Sequence, residues 1–219
     1  MFGKNPRLPF ENRDGTELKV HSIFPTIQGE GPYSGHQALF IRLSGCNLAC
    51  TFCDTEFDSF DILGVKEILE TIISMQHRQK LVVITGGEPF RQSINLLCES
   101  LLLNGFKVQV ETNGTIYTDI PKDVELVCSP KVYKDKYHRI RADVLEQTIA
   151  LKFLISKQKK GYLDIAEVGQ SEYNIPVYVQ PMDEYDEYTN QNNKILAQEV
   201  AKKHGTILSL QLHKILNLK

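Results

Sequence analysis

Three cysteines near the end of the first quarter of the chain carry the most distinctive chemistry in the sequence. Cys46, Cys50 and Cys53 form a C-x3-C-x2-C pattern within residues 44–55, directly after a candidate β-strand. Thiolates at this spacing, on a loop that includes a glycine, can converge on one soft metal centre. A structural zinc ion usually takes four protein ligands, and no fourth cysteine or histidine is nearby. The pattern therefore favours a metal centre whose set of protein ligands is incomplete.

A cluster of four irons suits three thiolates. It leaves one iron without a protein ligand and open to a small molecule, whereas a pure electron carrier normally fills all four positions with protein ligands. The alternative is three unrelated buried thiols. The other two cysteines, Cys98 and Cys128, fall inside a candidate helix and at the end of a candidate strand, where the usual role is that of a small buried hydrophobic residue.

Short β-branched or apolar runs alternate with longer helical patterns. These elements must position residues 44–55, which we call the cysteine loop. The alternation predicts right-handed βαβ units around a mostly parallel sheet. In such a sheet, function gathers at the carboxyl ends of the strands. The predicted strands are 18–24, 38–43, 81–85, 106–111, 124–128, 151–155, 177–180 and 207–210, and the predicted helices are 65–76, 93–103, 161–167 and 194–203.

The composition is that of an ordinary globular chain. Of its 219 residues, 42% are hydrophobic and 24% are charged, which excludes disorder and collagen-like structure. The length suits one domain, and no internal repeat or low-complexity linker marks a boundary. We therefore expect a single domain over residues 1–219, with residues 1–17 as an N-terminal extension.

Charge and apolar patterning narrow the possible partners. A formal charge of -2, from 25 Lys and Arg against 27 Asp and Glu, argues against a general grip on a nucleic-acid backbone. No apolar run approaches the roughly 20 residues of a membrane-spanning helix, and the first residues lack the apolar segment of a secretory signal. An odd number of cysteines, five, with three of them clustered, is unlike an extracellular disulfide framework. We expect a cytoplasmic protein with reduced thiols, no membrane partner and no direct nucleic-acid partner.

Two charge clusters stand out, the basic stretch 131–141 and the acidic stretch 183–187. Most such clusters are solvated loops. The alternative for the basic stretch is a docking patch for an acidic partner.

Glycines and polar residues follow several predicted strands. Gly86 and Gly87 would let the backbone approach a ligand closely, although the same pair also suits an ordinary strand-to-helix turn. Arg42 lies inside an apolar strand, where a guanidinium needs either a ligand carboxylate or a buried Glu or Asp. Residues 111–113 and 129–131 end successive strands and should face the same edge of the sheet.

The cysteine pattern, with the aromatic Phe52 before the last cysteine, is the signature of radical S-adenosylmethionine (SAM) enzymes. From about residue 23 to residue 214, the chain resembles one family within them, the 7-carboxy-7-deazaguanine synthases of queuosine biosynthesis. The cysteine pattern and Gly-Gly-Glu-Pro specify only the superfamily, whereas Gln-Gly-Glu-Gly and Cys-Asp-Thr, in this order and spacing, specify the family. The segments that carry the resemblance are TIQGEG (26–31), FIRL (40–43), CDT (53–55), VITGGEP (83–89), ETNGT (111–115), SPK (129–131), QP (180–181) and SLQLHK (209–214).

The resemblance implies an α/β fold, a partial (β/α) barrel of the radical SAM type. It also implies three cofactors: a [4Fe-4S] cluster held by Cys46, Cys50 and Cys53, SAM at the open iron, and Mg²⁺. The residue implied as the magnesium ligand, together with substrate, is Thr55; without the resemblance it would be taken for a helix cap. The residues implied to contact SAM are Phe52, Cys53, Asp54, Gly87, Ser129, Pro130, Lys131 and Gln180.

The implied activity is that of a carbon–nitrogen lyase that converts 6-carboxy-5,6,7,8-tetrahydropterin to 7-carboxy-7-deazaguanine and ammonia. A side-chain amide such as that of Gln28 suits the edge of a pterin ring, and the planar fork of Arg42 suits its carboxylate. The residues implied to contact the substrate are Ile27, Gln28, Gly29, Arg42 and Thr85.

The resemblance further implies a reducing partner such as flavodoxin or ferredoxin, and a homodimer. Family members often end in a Leu-Gly-Pro-like tail, whereas this sequence reads Leu-Asn-Leu-Lys over residues 216–219, so no tail residue is assigned to the substrate. The nearest rival is another radical SAM enzyme, for example the activator of a glycyl-radical partner. A rival of a different class is a non-enzymatic iron–sulfur carrier or a zinc module.

Overall fold

Eleven strands and six α-helices form the part of the chain that the computed structural model describes, namely residues 5–55, 59–75, 78 and 80–218. In chain order the elements are β1 (Glu17–Ile27), β2 (Gln37–Leu43), β3 (Asp61–Gly64), α1 (Val65–Met75), β4 (Leu81–Gly86), α2 (Asn95–Leu103), β5 (Lys107–Thr112), β6 (Glu125–Cys128), β7 (Val132–Tyr133), β8 (Lys136–Tyr137), α3 (Ala142–Leu145), β9 (Thr148–Ile155), α4 (Gln170–Tyr173), β10 (Val177–Pro181), α5 (Glu187–His204), β11 (Ile207–Leu208) and α6 (Leu212–Ile215).

Nine of the strands make one sheet in the order β11-β10-β9-β6-β5-β4-β2-β1-β3. Neighbours from β2 to β11 run parallel, whereas β1 runs antiparallel to both β2 and β3. Within the described residues β11 and β3 lie at opposite ends of the order, so the sheet does not close into a barrel. The predicted α/β class and partial barrel are confirmed. Strands β7 and β8 form a separate hairpin.

The parallel strands are apolar because both of their faces are covered. In β4, Ile84 joins the main core with Ile68 of α1 and Leu97 of α2. The next side chain along the strand, Val83, points to the other face and packs with Ala38 of β2. All five side chains are fully buried. No helix among the described residues has the length and apolar character needed to cross a bilayer.

The longest helix, α5, begins in the acidic stretch 183–187. Asp186 accepts a hydrogen bond from the backbone N–H of Thr189 at 2.8 Å, which caps the first turn. Gly205, at φ +64°, ends the helix in the left-handed region. The predicted helix 194–203 is therefore the second half of a longer one, and part of the acidic stretch is its capping segment.

The predicted helix 161–167 is wrong, since these residues form turns and the nearest helix is α4. Ile165 is partly buried and Val168 is fully buried, and both lie in an irregular segment. Gly161 has φ +84°, outside the helical region. The side chain of Asp164 accepts from the backbone N–H of Ile165 at 2.9 Å and so competes with helical hydrogen bonds.

The remaining predicted elements are present with bounds shifted by a few residues at their ends. Helix 65–76 corresponds to α1, and residue 76 lies outside the described residues. The elements that the sequence did not predict are short, two to four residues each, namely β3, β7, β8, α3, α4 and α6.

The segment after β4 crosses directly beneath the cysteine loop. The backbone N–H of Gly87 donates to the carbonyl of Leu43 at 3.1 Å, and that of Glu88 donates to the carbonyl of Gly45 at 2.9 Å. A Cβ on Gly87 would stand 1.9 Å from the carbonyl oxygen of Gly45. Only glycine permits this approach, so the glycine pair holds the base of the cysteine loop at the carboxyl end of β4.

The carboxylate of Glu88 lies in the interior and joins the ends of β4 and β5. It accepts from the Thr112 hydroxyl at 2.7 Å, from the backbone N–H of Asn113 at 2.7 Å, and from the backbone N–H of Phe90 at 3.2 Å. Burial disfavours the charged carboxylate more than these bonds favour it, and it raises the pKa of Glu88 from 4.5 to about 7.

This raised pKa predicts a pH-dependent stability. Between pH 4.5 and 7 the folded protein holds a proton on Glu88 that the unfolded chain releases, so the wild type loses stability as the pH rises, on the order of 3 kcal/mol in total. Glu88→Gln removes this slope. It also leaves the N–H of Asn113 without its acceptor, at a cost of about 1–3 kcal/mol. Urea unfolding of both proteins at several pH values measures the two effects. If the free energy of unfolding changed equally with pH in both proteins, the raised pKa of Glu88 would be contradicted.

Candidate active site

One cavity of about 380 Å³ lies at the carboxyl ends of the parallel strands. It gathers residues from the loops after β2, β4, β5, β6 and β10, because parallel strands direct their carboxyl ends to one edge of the sheet. Pro130 is the one predicted site residue that does not line it. The predicted site residues in its wall are Ile27, Gln28, Gly29, Arg42, Cys46, Cys50, Phe52, Cys53, Asp54, Thr55, Thr85, Gly87, Ser129, Lys131 and Gln180.

The three clustered cysteines all face this cavity and are half-buried. Burial raises the pKa of Cys46 to about 11 and also raises the pKa of Cys50, so these sulfurs are protonated thiols unless a cation binds. Cys98 and Cys128 are fully buried in the core, and neither lines the cavity. They lie where the sequence placed small buried residues.

The cysteine arrangement fits a cluster better than a single ion. Among the described residues, no group of three or more His, Cys, Asp or Glu side chains converges closely enough to hold one metal ion. In a four-iron cluster, each thiolate binds a different iron, so the sulfurs stand farther apart than the ligands of one zinc ion. Three thiols in one cavity wall, beside open space, match that requirement.

Hydrogen bonds from other loops fix the cysteine loop. The amide of Asn113 donates to the Asn47 side chain at 2.9 Å, and Asn47 donates in turn to the hydroxyl of Thr115 at 2.8 Å. From the N-terminal extension, Arg7 donates to the carbonyl of Asn47 at 2.8 Å, and Asn5 donates to the carbonyl of Thr55 at 2.7 Å. Both ends of the loop are therefore tied to the rest of the molecule.

Lys131 and Ser129 form the cavity wall at the end of β6. The ammonium of Lys131 donates to the carbonyl of Ser129 at 2.7 Å and to its hydroxyl at 2.8 Å. At the end of β10, the buried amide of Gln180 accepts from the hydroxyl of Ser209 at 3.1 Å. Pro130 is buried behind this wall and shapes the loop.

Arg42 and Thr55 meet on the opposite side of the cavity. The Arg42 guanidinium donates to the Thr55 hydroxyl at 2.9 Å and lies 5.9 Å from the ring of Phe24. Among the described residues, no carboxylate is within ion-pair distance of Arg42, so the alternative of a buried ion pair gains no support there. Thr55 is bonded to a side chain of β2, and it caps none of the described helices.

Gln28 is engaged by the protein itself. Its amide N–H donates to Glu111 at 2.9 Å, and its amide oxygen accepts from the backbone N–H of Glu30 at 3.2 Å. The carbonyl of the neighbouring Gly29 accepts a hydrogen bond from the backbone N–H of Leu212, at the start of α6, at 3.0 Å. A Cβ there would stand 2.4 Å from the imidazole of His213. This loop is thus covered by α6.

A buried charge group at the same end of the cavity was missed by sequence reasoning. The ammonium of Lys152 pairs with Glu30 and lies 3.4 Å from Glu111, and all three residues line the cavity. Burial alone would raise the pKa of Glu30, but the charge of Lys152 and the hydrogen bonds from Lys152 and Gln211 together outweigh burial and lower this pKa. A lysine inside the apolar strand β9 was the available signal, the same one that identified Arg42.

A second missed contact closes the cavity from the C-terminal side. Lys214 of α6 donates to the carboxylate of Asp54 in the cysteine loop at 2.8 Å, and it pairs with Asp183 after β10 at 2.8 Å. The ring of Tyr185 lies 5.5 Å from the same ammonium. The carboxylate of Asp54, predicted to contact SAM, is therefore held by Lys214.

Removal of the buried ammonium should be costly. Lys152→Met leaves Glu30 and Glu111 buried without their cation, and breaking a buried ion pair in this way costs about 3–5 kcal/mol of unfolding free energy at neutral pH. The matched control is Lys66→Met, at an exposed position in α1, which should change stability by about 0.5 kcal/mol or less. Urea denaturation of the two variants measures the difference. Equal stabilities would mean that Lys152 is not the counter-ion of the pair.

Comparison with known proteins shows which family this chain resembles. Residues 40–141 match the model of the Radical SAM superfamily. The chain is 52% identical to the 7-carboxy-7-deazaguanine synthase of Rickettsia prowazekii, across all of this chain and 96% of that protein. It is 36% identical to the enzyme of that name from Rhodospirillum rubrum, with both chains fully covered.

A solved structure agrees. The crystal structure of QueE from Escherichia coli superposes with a TM-score of 0.75 at 25% identity and covers 89% of this chain and 94% of that one. The cysteine loop, the glycine pair beneath it and the polar cavity at the sheet edge thus occur in a fold and a sequence shared over the full length of the relatives. The chain belongs to the 7-carboxy-7-deazaguanine synthase family of radical SAM enzymes.

Proposed function

We propose that this protein is a radical SAM lyase that converts 6-carboxy-5,6,7,8-tetrahydropterin to 7-carboxy-7-deazaguanine and ammonia in queuosine biosynthesis. One observation supports this above all. The cysteine loop and the Arg42–Thr55 pair open into the same cavity of about 380 Å³, which is within the usual size range of small-molecule sites. A cofactor at the thiols and a small carboxylated substrate at Arg42 would share one enclosed space.

Cys46, Cys50 and Cys53 are the residues that would hold the [4Fe-4S] cluster, and their protons must leave when iron binds. The cluster and SAM would supply one-electron radical chemistry when bound. The role of the protein is to bind, orient and shield. The Lys214–Asp54 contact holds α6 against the cysteine loop and limits access of water from that side.

SAM would occupy the side of the cavity formed by the ends of β4, β6 and β10. Both Gly87 and Phe52 line the cavity, so the SAM amino group would approach the backbone at Gly87 and Phe52 would lie along the adenosine part. Ser129 and Lys131 present a hydroxyl and an ammonium from the end of β6. Pro130 would act by shaping this loop, and Gln180 closes the same side from the end of β10.

The substrate would occupy the other side of the cavity. The guanidinium of Arg42 is oriented by its bond to Thr55 and can hold the pterin carboxylate with two parallel hydrogen bonds. Thr85, directly opposite Arg42 in the β2–β4 register, adds a hydroxyl. The loop of Ile27, Gln28 and Gly29 forms the end wall, and its shape is fixed by the bond that Gln28 donates to Glu111 and the bond that Gln28 accepts from the backbone N–H of Glu30.

Mg²⁺ is a further proposal. The hydroxyl of Thr55 lies 2.9 Å from Arg42 and 3.5 Å from the carboxylate of Asp54, so a substrate carboxylate beside Arg42 would bring a second oxygen next to that of Thr55. Mg²⁺ commonly takes few protein ligands and completes its shell with substrate and water. Thr55 therefore fits a magnesium ligand that acts jointly with the substrate.

Three features of the setting are proposed from the family. The cluster needs a reducing partner such as flavodoxin or ferredoxin. The clustered free thiols suit the reducing environment of the cytoplasm. A homodimer is expected, and the oligomeric state in solution would be measured by light scattering.

Anaerobic turnover tests the proposed function directly. The reconstituted, reduced protein should convert the carboxylated tetrahydropterin to a product with the mass of 7-carboxy-7-deazaguanine. Each of the substitutions Cys46→Ala, Cys50→Ala and Cys53→Ala should abolish both iron loading and turnover. The core cysteines are the matched controls, so Cys98→Ala and Cys128→Ala should retain the cluster. SAM cleavage without the deazaguanine product would favour another radical SAM activity, and no 5'-deoxyadenosine at all would favour an electron carrier.

Thr55→Val tests the magnesium ligand. Valine has nearly the volume of threonine but offers no oxygen, so turnover should require a higher Mg²⁺ concentration while iron content stays unchanged. The measurement is turnover as a function of Mg²⁺ concentration for both proteins. Superimposable curves would show that Thr55 is not a ligand, and a change in stability alone would indicate that its bond to Arg42 is structural.

A further inference from the structure

The basic stretch 131–141 is part of a larger positive surface. Together with residues 157–160 it contains eight lysines and arginines and one aspartate, in a chain whose formal charge is -2. We call these two segments the basic face. Four of these residues pair with carboxylates, namely Arg139 with Glu172, Arg141 with Asp143, Lys159 with Glu184 and Lys160 with Asp135, and the other four lysines give the face a local positive potential.

The two segments of the basic face pack against each other. Lys160 pairs with Asp135 at 2.6 Å, and the hydroxyl of Tyr162 accepts from the backbone N–H of Val132 at 3.1 Å. A Cβ on Gly161 would stand 2.6 Å from the side chain of Val132. The β7–β8 hairpin and the turn after β9 therefore form one continuous surface.

The basic face borders the cysteine loop. The ring of Phe52, next to Cys53, packs edge-on against that of Tyr162 with centroids 5.3 Å apart. The ammonium of Lys159 lies 5.9 Å from the centroid of the same Phe52 ring. At the inner border, Lys131 reaches the cavity wall itself. Positive charge thus extends from solvent to the loop that carries the cluster ligands.

Several charges of the basic face are available to a partner. Lys134, Lys136 and Lys157 are exposed, and none of them forms an ion pair among the residues that the structure describes. Lys134 lies over the ring of Tyr133, which is 62% exposed. Lys134 and Asp135 have φ values of +50° and +65°, so the hairpin tip is a tight turn that projects from the molecule.

We propose that the basic face is the docking surface for an acidic protein that delivers the reducing electron. The inference deepens the proposed function and rests on it. In this step, one electron leaves the reduced flavin or iron–sulfur centre of the donor and enters the [4Fe-4S] cluster. The donor is oxidised by one electron, the cluster is reduced by one, and no bond forms or breaks.

The position of the surface favours an electron donor over another anionic partner. An electron donor must bring its own cofactor near the cluster, and the basic face reaches the cysteine loop through Phe52 and Lys131. Opposite charges on the two proteins would steer the encounter and fix the orientation, and salt would weaken both effects. A nucleic acid would also bind positive charge but has no need of the cluster.

Binding is the first test, and it needs no turnover. The probe is an oxidised, acidic flavodoxin titrated calorimetrically into the cluster-loaded enzyme at low and moderate salt. The triple variant Lys134→Gln, Lys136→Gln, Lys157→Gln should bind about ten-fold more weakly than wild type at low salt, with a smaller salt dependence. The matched control is Lys80→Gln, Lys122→Gln, Lys202→Gln, three exposed lysines near the amino ends of β4 and β6 and in the last turn of α5. It should bind like wild type.

The choice of reductant separates this proposal from the proposed function. With reduced flavodoxin, the triple variant should form 5'-deoxyadenosine about ten-fold more slowly than wild type and the control. With dithionite, a small-molecule reductant, all three proteins should react equally. Equal affinity and equal flavodoxin-driven rates in all three would overturn the docking surface and leave the proposed function standing. Failure of every protein with dithionite would overturn the proposed function instead. The surface would instead be assigned to nucleic acid if the triple variant alone lost binding to an oligonucleotide while its binding to flavodoxin was unchanged.

Discussion

The candidate site depends on the hydrogen bonds that the buried carboxylate of Glu88 accepts. It joins the end of β4 to Thr112 and Asn113 at the end of β5, and Asn113 in turn holds Asn47 in the cysteine loop. The same residue donates its backbone N–H to the carbonyl of Gly45. The cysteine loop, the glycine pair and the ends of β4 and β5 are therefore joined at one buried polar group. In such a buried position, a hydrogen bond that is not made costs folding free energy. These bonds hold the base of the loop that carries Cys46, Cys50 and Cys53.

Two charge groups of different character line the cavity next to this centre. Lys152 compensates Glu30 and Glu111, which leaves a compact, hydrogen-bonded wall. Arg42, in contrast, is half-buried and donates to the hydroxyl of Thr55, so it retains capacity to bind a carboxylate. Burial opposes the charge of Arg42 and lowers its pKa, while nearby acidic groups, Asp54 and Glu111 among them, act in the opposite direction. An anionic substrate would complete that balance, which is consistent with the carboxylated pterin proposed for this site.

Much of this arrangement could be predicted from the sequence because its signals are local. The apolar runs of the parallel strands predicted their positions to within a few residues, and the predicted helix 93–103 ends where α2 ends, at Leu103. The helix predicted at 161–167 failed for a tertiary reason. Ile165 and Val168 pack against the core from an irregular segment, the ring of Tyr162 packs against those of Phe52 and Tyr137, and Gly161 is held in a turn against the β7–β8 hairpin.

The sequence by itself identified the three clustered cysteines and predicted the edge of the sheet at which they lie. The cysteine pattern spans eight residues, and the alternation of apolar runs with helices predicted parallel strands whose carboxyl ends share one edge. Only the tertiary structure decided which distant groups meet there. Lys152 lies 122 residues from Glu30, and Lys214 lies 160 residues from Asp54. Their pairing depends on the order of strands in the sheet and on the packing of α6, which local periodicity does not encode, because a charged residue in an apolar strand shows only that some partner is required and not which one.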